Sequence, residues 1–242
     1  MSDQELNSHG IRPQHRTINV DGKEFPVDDP VVAGRQVLEI AGRHPVEEYI
    51  VYWLGPDNVL EDLGLDRTVH LERQSVSLFF TFEADRSYRF EIEGKREDWG
   101  APKITEETLR KIAGVGANFA IFVQTKDAPA RRVERGEIVD LTLPGIERFY
   151  VERIIKVHVE NEENGANFDL DGFEQTRLKT LFEEMYKKLG VVRQPDDRLR
   201  CEEGGGDVFG FAELTLKEYI ERGNCKCLIW LFAGGTGGAS CR

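Results

Sequence analysis

The chain has 242 residues, 40% hydrophobic and 31% charged, enough apolar material for one large domain or two to three small ones and not the composition of a disordered chain. A formal net charge of -12 and a pI near 5.0 argue against a nucleic-acid or anionic-membrane surface, since both need clustered Lys and Arg. No apolar run approaches the roughly 18–20 residues that span a bilayer. The polar start MSDQELNSHGIRPQHR has no secretory h-region, so the expected location is the cytoplasm.

Residues 1–16 read as an N-terminal arm without structure. INVDGKEF (18–25) then gives a strand, a tight turn at Asp21-Gly22 and a second strand. VAGRQVLEIAG (32–42) places Val37, Leu38, Ile40 and Ala41 on a helical period, with Gly42 suited to the left-handed position past a helix end. YIVYWL (49–54) is a strand, and DRTVHLERQSVSLFFTF (66–82) closes the unit.

The same order then returns. FEIEGKRE (90–97) turns at Glu93-Gly94, and ITEETLRKIAG (104–114) is a helix with Thr105 as its cap and Gly114 as its stop. FAIFVQ (119–124) and RGEIVDLTLPGIERFYV (135–151) complete the copy. Gly22 and Gly94 lie 72 residues apart, as do Gly42 and Gly114; Val69 and Val139, like Phe79 and Phe149, lie 70 apart. A two-residue deletion accounts for the change. The aromatics Trp53, Phe79, Phe80, Phe82, Phe119, Phe122, Phe149 and Tyr150 are expected in the core and between the units.

From Ile154 the pattern restarts: IIKVHV (154–159), turn material at 160–166, NFDLDG (167–172), and an amphipathic helix over 175–190. Leu178, Leu181, Phe182, Met185 and Leu189 line one face of that helix and Gly190 stops it. A break at Gln194-Pro195-Asp196-Asp197 precedes a strand at 197–202, a short helix capped by Thr215 over 214–223, and a last strand over 225–233. Hairpin, helix, then returning strands is the order of a β-grasp fold. The fold class expected is α+β, tandem ubiquitin-like β-grasp domains, at residues 17–84, 85–152 and 153–233, with a flexible tail at 234–242.

That tail reads AGGTGGASCR from Ala233. Four glycines in five residues cannot continue a strand. They suit a carboxylate that must thread a narrow channel to be adenylated and then passed to a cysteine as a thioester. Two ends are available: Gly238, preceded by Gly237 and released by cleavage before Ala239, and Gly235, preceded by Gly234. Gly238 is favoured because it leaves the longer arm. Either choice implies a processing protease.

The segments GKEF…DDPVVAGRQVLEIAG and DLTLPGIERFYV resemble the bacterial multiubiquitin family of tandem ubiquitin-like β-grasp domains. Residues Gly34–Gly42 match that family's short helix, and Leu143–Phe149 its closing strand. The resemblance covers about residues 17–152; the third unit lacks the Ala-Gly helix end and fits by element order and tail. It implies a modifier, not an enzyme, that meets an E1-like activating enzyme, an E2-like conjugating enzyme and a JAB-type metalloprotease in an operon of anti-phage defence. The target is unspecified. ATP would be used by the E1-like partner, so no cofactor is expected of the chain itself. Neither of the first two units ends in Gly-Gly, so the units should stay joined.

Two alternatives remain at this level: a sulfur carrier whose terminal glycine becomes a thiocarboxylate, and an interaction scaffold with an inert tail. Catalysis by the chain is not expected. His9, His15, His44, His70 and His158 are scattered, and no nucleophile elbow, phosphate loop or HExxH run is present. Gly204–Gly206 reads as a turn, and the acidic run at 160–163 as a solvated hairpin tip. Cys201, Cys225, Cys227 and Cys241 crowd the last fifth of the chain, a poor framework for stapling the whole. Cys225-Lys226-Cys227 is too closely spaced for a CxxC knuckle, so no metal is expected. Exposed strand edges leave self-association open.

Overall fold

A computed structural model describes residues 16–72, 75–84, 86–126, 128–142, 147–204, 206–223 and 225–235. The chain divides into two compact units, residues 1–116 with 121–151, and residues 117–120 with 152–242.

The first compact unit holds both sequence repeats. In the first, β1 (Arg16–Val20) and β2 (Lys23–Val27) form the hairpin, and β3 (Val31–Ala33) leads into α1 (Gly34–Ile40). There follow β4 (Tyr49–Leu54), β5 (Leu60–Asp62), β6 (Thr68–His70) and β7 (Ser77–Glu83). The second repeats this as β8 (Tyr88–Ile92), β9 (Lys95–Trp99), β10 (Lys103–Thr105), α2 (Glu106–Ala113), β11 (Phe119–Gln124), β12 (Arg131–Val133), β13 (Ile138–Asp140) and β14 (Glu147–Arg153). The main sheets run β2-β1-β7-β4-β5 and β9-β8-β14-β11-β12, so in each the last long strand lies beside the first, and parallel to it.

Local chemistry explains why both hairpins turn where the sequence places them. Asp21 and Gly22 take φ values of 52° and 87°, and Glu93 and Gly94 take 48° and 76°, the paired left-handed conformation that matches strand twist in a two-residue loop. A non-glycine residue pays for that conformation, and here each is held by its own carboxylate. Asp21 accepts from the Thr81 amide at 2.9 Å and from Arg43 at 2.9 Å, and Glu93 accepts from the Val151 amide at 2.7 Å. The Asp21 and Glu93 amides donate to the carbonyls of Phe79 and Phe149. Each turn is thereby tied to the closing strand of its own repeat.

The helices close the sheets from one side. Val37 and Leu38 of α1 and Leu109 and Ile112 of α2 are fully buried, as their spacing predicts. Thr105 caps α2 by accepting from the Thr108 amide at 3.2 Å, and Gly114 ends it in the left-handed region. The closing segments differ from expectation in being split. Short strands β6 and β13 pair with β3 and β10 at the helix entrances, leaving β7 and β14 to the main sheets. Three-residue strands carry too little alternation to be read from sequence.

The two repeats share a hydrophobic core. Tyr52, Leu54 and Leu60 of the first are buried with Phe90, Ile92 and Trp99 of the second. Trp99 is the pivot: Phe80 and Phe82 meet its ring edge-on at 5.1 and 4.6 Å, and its indole N–H donates to the Lys103 carbonyl. Gly100 lies so close to Phe82 that an added Cβ would fall 2.5 Å from its ring. The expected role of Phe80 and Phe82 is therefore met, with Trp99 as a partner the sequence reading did not single out.

The second compact unit carries the same strand order once more. It comprises β15 (Ile155–Asn161), β16 (Asn167–Gly172), α3 (Leu178–Leu189), β17 (Arg198–Cys201), α4 (Leu216–Glu221) and β18 (Ile229–Ala233), with the sheet running β16-β15-β18-β17. β18 is parallel to β15 and antiparallel to β17. Leu178, Leu181, Phe182 and Met185 face the core, and Thr215 caps α4 in a capping box with Glu218. The last strand begins four residues later than its apolar run suggests, because Cys225 is bonded to Cys201 and Leu228 takes a left-handed φ of 51°.

Glu97 of β9 is 2% exposed, and one carboxylate oxygen accepts from the Leu60 amide at 3.1 Å while the other has no partner among the described residues. Burial holds this carboxyl above its ordinary range despite that hydrogen bond. A raised carboxyl favours the protonated folded form, so its contribution is complete below the unfolded value, about 4.3, and is lost as pH rises through the folded value. Glu97→Gln should therefore melt above the parent at pH 7, with the gap closing as pH falls towards 4.5. A gap independent of pH in thermal melts would contradict this account.

Candidate functional site

The tail leaves from β18, a central strand of its sheet. Two aromatic side chains fix that strand. Trp230 is fully buried against Phe182 and Tyr219, and Phe232 meets Tyr186 edge-on at 5.7 Å. Its pairing with β15 continues one residue past the end of that strand, where the Glu162 amide donates to the Phe232 carbonyl at 2.9 Å. Ala233, opposite Arg198, is the last residue in register.

Gly234 and Gly235 follow, and both rest on acidic side chains. The Gly235 amide donates to Oδ1 of Asp197 at 2.8 Å. The other Asp197 oxygen accepts from the Gln194 amide at 2.7 Å and from the Tyr186 hydroxyl at 2.8 Å. Burial acts to raise the Asp197 carboxyl, but these three donors and the Arg193 charge outweigh it, and the group lies below the usual carboxylate range. The Tyr186 phenol is pushed well above its ordinary value, by burial first and then by the neighbouring Asp197. Arg193 lies over the Phe209 ring at 4.4 Å, which keeps its charge beside this cluster.

The first glycine pair lies close to acidic side chains. A Cβ on Gly235 would fall 1.9 Å from an Asp196 carboxylate oxygen, and one on Gly234 would lie 3.2 Å from Glu163. The seat is thus assembled from three places: the 160–163 hairpin tip, the 194–197 break and the end of α3. Sequence reading treated the first two as a solvated tip and a chain break. The tip is more than solvated, since Glu162 also pairs with Arg200. A Pro-Asp-Asp break facing an acidic tip is the only local trace of the seat, and nothing in it points forty residues ahead to Gly235.

Of the expected site residues, Gly234 and Gly235 are placed on this seat, whereas Gly237, Gly238 and Ala239 lie outside the described residues. The Leu143–Ile146 part of the closing-strand motif lies outside them too, as do His9 and His15. His70 is exposed on β6, and His158 on β15 meets Asp169 through Nδ1 at 3.0 Å. Among the described residues no helix is long and apolar enough to cross a membrane.

Three sheets of one strand order, each carrying a helix between its hairpin and its later strands, define a tandem ubiquitin-like protein of the β-grasp class. The family model described as Multiubiquitin matches residues 16–84 and 88–154, together more than half of the chain. The chain belongs to the multiubiquitin family. The match stops where β15 begins, so the last unit rests on its own topology. Among curated proteins none matches the chain.

Asp197→Ala removes the acceptor for three donors at once. It should cost about 1–3 kcal/mol of stability in the second compact unit and speed amide exchange at Gly235 and Gln194. Because the Asp197 value is lowered, its contribution is present above the ordinary carboxylate pKa and lost as pH falls through the folded value. Exchange protection at Gly235 should fade with acidification in the parent and be absent at every pH in the variant.

Proposed function

We propose that the chain is a ubiquitin-like modifier whose C-terminus is cut after Gly238, activated and joined to a target. The observation that carries this reading is the position of the tail: it follows a central strand of a β-grasp sheet and begins with two glycines that lie close to acidic side chains. A metalloprotease would release Ala239–Arg242. The Gly238 carboxylate then attacks the α-phosphate of ATP on an E1-like partner, pyrophosphate leaves, and an enzyme thiol displaces AMP to form the thioester. The thiol of an E2-like protein displaces that of the E1-like enzyme, and an acceptor nucleophile on the target then displaces the E2 thiol.

Electrostatics favours Gly238 over Gly235 as the end. A new carboxylate at Gly235 would lie against Asp196 and Asp197, with Glu163 beside Gly234, and like charges so placed oppose one another. A carboxylate at Gly238 is three residues further along the chain from this acidic seat. The junctions between the units, residues 84–87 and 152–154, contain no glycine, which supports a single conjugation point per chain. The modifier reading extends to a cytoplasmic role in anti-phage defence, with the E1-like, E2-like and JAB-type proteins as partners.

Co-expression with those three proteins and intact-mass measurement test the reading. The expected result is loss of Ala239–Arg242, then a mass increase equal to a target or an enzyme adduct, both abolished by Gly238→Ala but not by deletion of the first two units' surface charges. An unaltered C-terminus with no adduct would sink the modifier reading. Replacement of one oxygen by sulfur at the terminus would move the protein to the sulfur carriers, and full function after deletion of 234–242 would leave it a scaffold.

A further inference from the structure

The end of β18 opposite the tail is built from cysteines. Cys201 is the last residue of β17, in register with Trp230, and Cys225 lies in the loop that enters β18; both are 1% exposed and joined by a disulfide across 24 residues. Cys227 is exposed and carries a free thiol. The three sulfurs lie within 4.8 Å of one another. Spacing along the chain hides this arrangement, because the third sulfur comes from another strand. The turn that brings Cys227 back is held in two ways: the Lys226 amide donates to Glu203 at 3.1 Å, and Leu228 takes its left-handed φ immediately after.

The geometry points to a thiophilic metal site that replaces the disulfide when the protein is reduced: Cys201, Cys225 and Cys227 bind one divalent ion of the zinc class. Zinc takes thiolates at about 2.3 Å in tetrahedral array, which puts ligand sulfurs about 3.8 Å apart. Opening the disulfide lets the Cys201 and Cys225 sulfurs relax from bonded to nonbonded contact, near that separation, with Cys227 already alongside. Cys227 is exposed, whereas Cys201 and Cys225 are buried, and a fourth ligand to the ion would be water or another small donor.

The balance is simple. Two molecules of a thiol reductant of the glutathione class give two electrons and two protons to the disulfide and leave as their own disulfide. The ion then binds three thiolates and releases three protons, so binding weakens in acid. Disulfide and ion exclude each other, since both use the Cys201 and Cys225 sulfurs. Either one fastens β17 to the entry of β18, so the strand that carries the tail is secured in oxidising and in reducing surroundings. This site does not depend on the proposed function.

The test uses the full chain carrying Cys241→Ser, so that the remaining thiol outside the described residues plays no part. The protein reduced with a phosphine is titrated with Co2+. The site predicts saturation at one equivalent, with thiolate-to-cobalt charge transfer and the strong visible bands of a tetrahedral ion, reversed by Zn2+. The unreduced protein should show neither band. Cys227→Ser should weaken binding at least as much as the roughly tenfold that loss of an outer-shell partner costs. Alkylating Cys227 in the oxidised protein before reduction, which leaves the fold assembled, should abolish binding. Zn2+ should also restore the melting temperature lost on reduction in the parent and not in the alkylated protein. A reduced parent without the bands, or a Cys227→Ser or alkylated protein that titrates like the parent, overturns the site.

Discussion

Each of the three main sheets depends on parallel pairing between the first and last long strands of its unit, β1 with β7, β8 with β14 and β15 with β18. A parallel neighbour cannot be reached by a tight turn, so the chain between must cross over, and the helix is that crossover. The constraint places the last strand centrally and the hairpin at one side. It also explains the glycine-bearing turns. The Asp21 and Glu93 carboxylates and amides bond to the closing strand, so the tightest local structure in each repeat is anchored by the most distant part of the same repeat.

The repeats then use that frame in two ways. The first two place Phe80, Phe82 and Trp99 between them and enclose Glu97 at 2% exposure. They form one compact unit with a shared core, which fits the limited apolar surface that about 70 residues can bury alone. The last unit fills its own core from α3, α4 and β18, with Trp230 at its centre, and adds the Cys201–Cys225 bond. The covalent tie adds to that core. Its acidic seat at Asp196 and Asp197 has no counterpart in the repeat pattern that relates the other two.

What could be read from sequence follows the range of the interaction. Asp21-Gly22, Glu93-Gly94, Thr105 and Gly114 announce themselves because turns and caps are decided within four residues. Helices α1 to α3 follow from apolar spacing, although α3 starts at Leu178 because Thr176 forms a turn with Phe173 first. β3, β6, β10 and β13 are too short to show a period. The Asp197 seat, the Glu97–Leu60 contact and the cysteine cluster join residues 24 to 38 apart, and no local pattern encodes which partner each will meet. The glycine tail is visible as composition; the approach of Asp196 and Asp197 to Gly235 is not.

The parallel pairing of β15 with β18 has a mechanical consequence. Tension applied through the start of β15 and the end of β18 pulls two adjacent parallel strands in opposite directions along their length. The hydrogen bonds from His158 to Asn161 then lie across the load and share it, where an antiparallel terminal pair would open one rung at a time. A chain tugged by its tail through such a strand resists in shear.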